Sequence, residues 1–356
     1  MGAVFVALLL IAFYSLFRSS PGTPRRAALP ELAIAVSGSL VGEGTLGAVL
    51  FPLFESRCHC KVRILSSGDG GSLLARLQID ARRGQFPVQV VLGVDHYLWS
   101  RAKPYLEDWH GWEPHGYHRI DPQYRVEAGF LPYDYGLMTF VVDRQAAKAS
   151  GVGIPSSLRD LVGSEWMRNI LLEDPRTSTP GLAFLLYSRV VFGSEVGAFW
   201  EKLQSRWLTL APNWTSAYGL FLKGEAPIVW SYMTSQAYHE SQGQASRYQA
   251  LVLREGQPMQ IEGAALVRGA FENDPEQDPP EVRRRLAHEF LEFLITPEAQ
   301  ALIPHTTWMM PVLSEVELPA DFKHLPQVTR KILPEAGSQV IEVALDEWRK
   351  SVENSQ

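Results

Sequence analysis

The chain has 356 residues, 46% of them apolar and 20% charged, with a formal net charge of −6. That length is more than one compact core holds comfortably, so one large α/β domain or two lobes is expected, and two lobes is the working assumption. The mild acidity offers no electrostatic attraction to nucleic acid or to an anionic membrane surface, and nucleic acid is not expected as a partner.

At the N-terminus, Val4 to Phe17 is almost unbroken apolar sequence, closed by Arg18 and then Arg25-Arg26. The run is short for a spanning helix and has the length of a signal-peptide hydrophobic region. No basic residue precedes it and no small-x-small site follows it, so residues 1–28 are read as an export signal or an uncleaved tether to the inner membrane. No cysteine follows the run, which argues against a lipoprotein. The body, from about Leu29, is expected outside the cytoplasm. Its two cysteines, Cys58 and Cys60, flank His59. A disulfide, two unpaired thiols and half a metal site all stay open; zinc needs a second Cys/His cluster, which the sequence lacks, and no metal is expected.

Glu31 to Val36 reads as a strand, Gly47 to Phe54 as a helix and Lys61 to Leu65 as a second strand, a βαβ start. The turn Ser66 to Gly71 then opens a helix at Ser72 to Leu77. Val88 to Leu92, closed by Gly93, is apolar throughout, as a buried parallel strand is. Tyr133 to Val142 is aromatic and β-branched and is a candidate crossing between lobes. Asn169 to Leu172 delivers the chain to Asp174-Pro-Arg-Thr-Ser-Thr-Pro-Gly181, where Thr179 is a good N-cap and Pro180 suits the first helical turn. Ile228 to Tyr232 is another strand and Gln260 to Val267 a return crossing. Arg268 to Glu281 is acidic, Pro-rich and aperiodic, hence an exposed loop with no evident role. Val282 to Leu294 has helical spacing, and Thr296-Pro-Glu298 caps a further helical piece that ends by Pro304. Trp308 to Val312 is not helical. The alternation predicts an α/β fold with ligands at the carboxyl ends of strands.

Two turns, Gly68 to Gly71 and Thr177 to Gly181, offer backbone donors at helix N-termini, suited to an oxyanion. Neither has the spacing of a nucleotide loop. No catalytic signature is present: no G-x-S-x-G elbow, no H-E-x-x-H, no Cys/His pair. Trp214, Tyr218, Tyr232, Tyr238 and Trp308 lie near element ends. Together with the polar turns they suit a flat, cationic or heteroaromatic ligand, since a ring face attracts cations.

Several ordered motifs now point one way. They are Gly68-Asp69-Gly70 with Ser72 to Leu77, Val90 to Asp95, Tyr133 to Gly136, Asp174 to Gly181, Trp214 to Glu225 and Ser231 to His239. From about Leu32 to Trp348 the chain resembles the periplasmic thiamine-binding proteins of bacterial ABC importers, in which even the Cys-x-Cys pair has a counterpart. The resemblance implies a two-lobed periplasmic binding protein fold of type II, with two crossing strands as hinge. It places lobe 1 at 29–136 with 262–356, lobe 2 at 137–261, and thiamine or its phosphates in the cleft. Matched to the family's ligand contacts are Asp69, Gly70, Ser178, Thr179, Trp214, Tyr232, Met233, Thr234, Ser235 and Gln236, with Tyr238 against the pyrimidine and Trp308 against the thiazolium. Asp174, Arg176 and Pro180 are read as structural. The implied protein is a monomeric, non-catalytic carrier without cofactor, partnered by membrane permease subunits.

Two departures stand out. Ser37 occupies the place of a family Tyr near the end of the first strand, and Met233-Thr234-Ser235-Gln236 replaces the family's Thr-Thr-Ser-Pro. The competing readings are a thiamine-cleaving transferase, which needs a cleft cysteine nucleophile, and a same-fold carrier for ferric ion or a polyamine.

Overall fold

The structure is a computed structural model that describes residues 29–109 and 111–353. The expected export signal, residues 1–28, lies outside the described residues.

Eleven strands are present among the described residues: β1 Glu31–Ser37, β2 Lys61–Ser67, β3 Val90–Asp95, β4 Leu131–Asp143, β5 Ile170–Glu173, β6 Trp207–Ala211, β7 Ile228–Tyr232, β8 Tyr248–Ala250, β9 Gln257–Leu266, β10 Met310–Pro311 and β11 Lys331–Ile332. The main path runs β2-β1-β3-β9-β4-β7-β5-β6. β1 is parallel to β2 and β3, and β5 is parallel to β6 and β7, so each end of the path is an α/β unit with helical crossovers. Between them lie the two antiparallel crossing strands. β9 pairs with β3 through Glu262–Leu266 and with β4 through Met259–Ala264. The far half of β4, Met138–Val142, pairs instead with β7. One long strand therefore belongs to two sheets, and the fold is two α/β lobes joined by crossing strands.

β3 is buried throughout and β1 from Leu32 onward, as their apolar runs require. β2 is the edge and is largely exposed, consistent with its alternation. The Gly-rich turn opens a helix at Gly70–Arg83, where Asp69 caps by accepting from the Ser72 N–H. The later helix spans Thr179–Phe192 with Ser178, not Thr179, at the N-cap, and Ser178 makes no side-chain capping bond. The expected cap is thus one residue off: Thr179 is already the first helical residue, and its buried hydroxyl makes no capping bond. Asp174 and Arg176 are structural: the guanidinium pairs with the carboxylate, Nη2 to Oδ2 at 2.5 Å, and lies over Trp348.

The acidic stretch after β9 is ordered rather than loose. Arg283, 2% exposed, donates to the carbonyls of Ala270, Glu272 and Asp278, and Asp278 in turn accepts from the N–H of Glu31. A sequence reading could not see this, because one arginine a turn inside the next helix closes the loop. The helical block also runs past Pro304, through Ile303–Thr306. Cys58 and Cys60 are joined in a disulfide. The C-terminal helix Ser338–Glu353 crosses back to pack on helices Thr179–Phe192 and Val196–Leu203, with Trp348 edge-on to Trp200.

Candidate functional site

At the junction of the lobes lies a cavity of about 480 Å³. Its walls come from strand ends and helix starts, where side chains and free backbone groups converge. Ser37 at the end of β1 and Asp95 at the end of β3 enter from the first lobe, and Tyr232 at the end of β7 enters from the second. Gly70 and Thr179, the first residues of their helices, enter from opposite lobes. They meet closely: a Cβ on Gly70 would lie 3.1 Å from Asp95 Oδ2 and 3.2 Å from Thr179 Oγ1. Any side chain at Gly70 would have to push these neighbours apart by a few tenths of an ångström.

The aromatic wall is tied together. Trp214 stacks on Tyr218 at 4.9 Å and donates its indole N–H to Ser231 Oγ, which is bonded to Ser235 Oγ. Tyr218 is held in turn by His239 Nε2 at 2.8 Å. Across the opening, Trp308 lies edge-on to Tyr238 at 5.6 Å and parallel to Phe322. Trp308 has φ of +58°, a left-handed conformation a tryptophan adopts only under the constraint of its surroundings. No local sequence signal announces that geometry.

Of the sequence-derived site residues, Gly70, Thr179, Trp214, Tyr232, Thr234, Ser235, Tyr238 and Trp308 line this cavity. Ser178 lines a smaller neighbouring recess of about 270 Å³ beside Gly71 and Arg176. Asp69 caps its helix with one oxygen while the other is buried without a partner. Met233 is buried, its N–H donating to the Leu137 carbonyl. Gln236 bridges the Ala250 N–H and the His324 carbonyl, a structural tie rather than part of the lining. Ser37 bonds Ser39 Oγ at 2.9 Å, so no ring enters from β1.

Sequence reasoning missed the acidic face. Asp95, Asp134 and Glu262 line the cavity together with Gln260. Burial raises the Asp95 carboxyl to about 7; the Thr179 hydroxyl beside it, outside good hydrogen-bond geometry, holds it down in part, and Glu262 pushes it up. Asp134 is raised well above the carboxylate range, first by burial and then by Glu262. Glu262 is also raised by burial, against the Tyr133 hydroxyl that donates to it at 2.7 Å. His96, buried behind them, is pushed down to about 3 and stays neutral. A single acid in an apolar strand carries no motif; the signal available was that two such acids interrupt runs otherwise suited to burial. Among the described residues no three His, Cys, Asp or Glu are placed to hold a metal ion. Neither cysteine lines the cavity, and both are consumed by their disulfide.

The comparisons with known proteins agree with this geometry. Residues 115–335 match the family described as bacterial extracellular solute-binding protein. A thiamine-binding periplasmic protein of Brucella abortus biovar 1 (strain 9-941) is 38% identical over 331 residues, 92% of each chain. Its Escherichia coli (strain K12) namesake is 35% identical, covering 91% of this chain and 94% of the relative. A solved periplasmic thiamin binding protein superposes with a TM-score of 0.78 at 32% identity, over 91% of this chain and 96% of that one.

Proposed function

This chain belongs to the bacterial extracellular solute-binding proteins, alongside the thiamine-binding periplasmic proteins, and on that premise we propose that it binds thiamine between its lobes and hands it to a membrane permease. The reading is carried by the cavity at the lobe junction, which is lined by both aromatic rings and acidic side chains. A thiazolium ring is a flat, desolvated cation, and both attract it. Donors at the starts of Gly70–Arg83 and Thr179–Phe192 suit the ligand's hydroxyl or phosphate arm, which supports thiamine phosphates as further ligands.

We place the lobes at 29–136 with 262–337 and at 137–261, β4 and β9 forming the hinge; the expected boundary at 356 is corrected because the C-terminal helix Ser338–Glu353 packs on the second lobe. Closure about it is the two-state element a permease would read. The protein acts as a monomer and without a cofactor. Its location is periplasmic, which the Cys58–Cys60 disulfide supports, since such bonds persist in oxidising compartments. A carrier is favoured over a thiamine-cleaving enzyme because the nucleophile that chemistry needs has no free thiol here.

Protein refolded free of ligand is the test. Thiamine at a hundred times its Kd should stabilise it by about 2.7 kcal/mol, raising the melting temperature and quenching tryptophan fluorescence. No response to thiamine, its monophosphate or its diphosphate would refute the proposal.

A further inference from the structure

The acidic face has a specific origin in the sheet. Asp95 and Asp134 are both register partners of Glu262, one on each side, so three adjacent strands present a row Asp95–Glu262–Asp134. The register slips just ahead of each acid: between Pro132 and Asp134 on β4, and between Leu92 and Val94, one residue before Asp95, on β3. A bulge changes which face a side chain points to, and bulges are favoured next to functional sites. Like charges directly opposite one another destabilise a sheet. Two irregularities that line up three carboxylates therefore work against stability.

The three acids are not equivalent. Glu262 accepts from the Tyr133 hydroxyl and from Gln260 Nε2, and Asp95 accepts from the Leu98 N–H. Asp134 is wholly buried, lines the cavity, and neither of its oxygens has a partner. Among the described residues no Lys, Arg or His forms an ion pair with any of the three. Charged, Asp134 lacks a counter-ion; neutral, its O–H lacks an acceptor. Its other strand neighbour is Pro311 of β10, and the segment entering β10 carries Trp308.

We propose that Asp134, backed by Glu262, reads the charge of the ligand: it takes the positive ring against its carboxylate and makes the cleft select a cationic heterocycle over a neutral one of the same shape. This rests on the thiamine reading above and names the residue that enforces it. The ring's charge supplies the partner that Asp134 lacks within the protein, which is why a row costly to the sheet is retained.

The test pairs thiamine with 3-deazathiamine, whose thiophene ring keeps the shape and lacks the charge. Dissociation constants for both are measured by calorimetry at one pH on the parent, Asp134→Asn and Glu262→Gln. The parent should prefer thiamine at least tenfold. Asp134→Asn should lose at least tenfold for thiamine and hold or gain affinity for the neutral analogue, so that the preference disappears. Glu262→Gln should lower the preference about threefold, and it decides the matter if Asp134→Asn does not fold. A parent without preference, or variants that weaken both ligands equally, overturns the charge-reading role while leaving thiamine binding standing. A parent that binds neither ligand overturns the proposed function and this inference with it.

Discussion

Replacing Trp308 with alanine is expected to weaken thiamine binding by about 1 to 2 kcal/mol, roughly five- to thirtyfold, while the protein stays folded. Cation–π contacts are worth about 0.5–1 kcal/mol at exposed sites and about 2 when desolvated; Trp308 is half-buried on the cavity rim, between these limits. Its contacts with Tyr238 and Phe322 contribute up to about 1 kcal/mol each, but they exist with or without ligand and so enter stability rather than affinity. The backbone supplies a control. At φ +58° any residue with a Cβ bears about 1 to 2 kcal/mol of strain that glycine avoids. Trp308→Gly should therefore lose as much affinity as Trp308→Ala yet melt higher. Calorimetric titration and thermal scans of the two variants read both quantities. Binding by Trp308→Ala within twofold of the parent would refute the assignment of this ring to the ligand.

Three further outcomes are expected. Asp95 has its folded-state pKa raised to about 7 from 3.8, so its contribution to stability is full below about pH 4 and is lost as pH climbs through 7, at most about 4 kcal/mol. Chemical denaturation of ligand-free protein should show Asp95→Asn flattening that decline; an unchanged slope would contradict it. Gly93 has φ of +95°, and a Cβ there would lie 2.9 Å from Ser37 Oγ, so Gly93→Ala should cost about 1–3 kcal/mol, read as a lowered denaturation midpoint. The Cys58–Cys60 bond closes a minimal loop, so Cys58→Ser with Cys60→Ser should cost only about 1.5 kcal/mol on the loop-entropy relation and leave thiamine affinity unchanged, because neither residue lines the cavity.

Much of the site was legible along the chain. The helix starts at Gly70 and Thr179 follow from turn and capping chemistry, and the strand ends that carry Asp95 and Tyr232 follow from apolar runs, because these depend on neighbours a few residues away. The family motifs extend that reading to Trp214, Tyr238 and Trp308. What the chain could not disclose depends on pairing across long separations. Tyr238 and Trp308 meet only when the segment before β10 lies beside the second lobe, and Arg283 closes the acidic loop only from its place in the following helix. The row of acids is the clearest case. Which face Asp134 and Asp95 present depends on bulges opposite Gly263, and a bulge is a property of two strands in register, since one extra residue exists only relative to a partner. The sequence by itself determined that this is a two-lobed carrier with polar helix starts and aromatic strand ends; only tertiary pairing decided that its cleft would be lined with a row of acids that pair with no basic residue among those described.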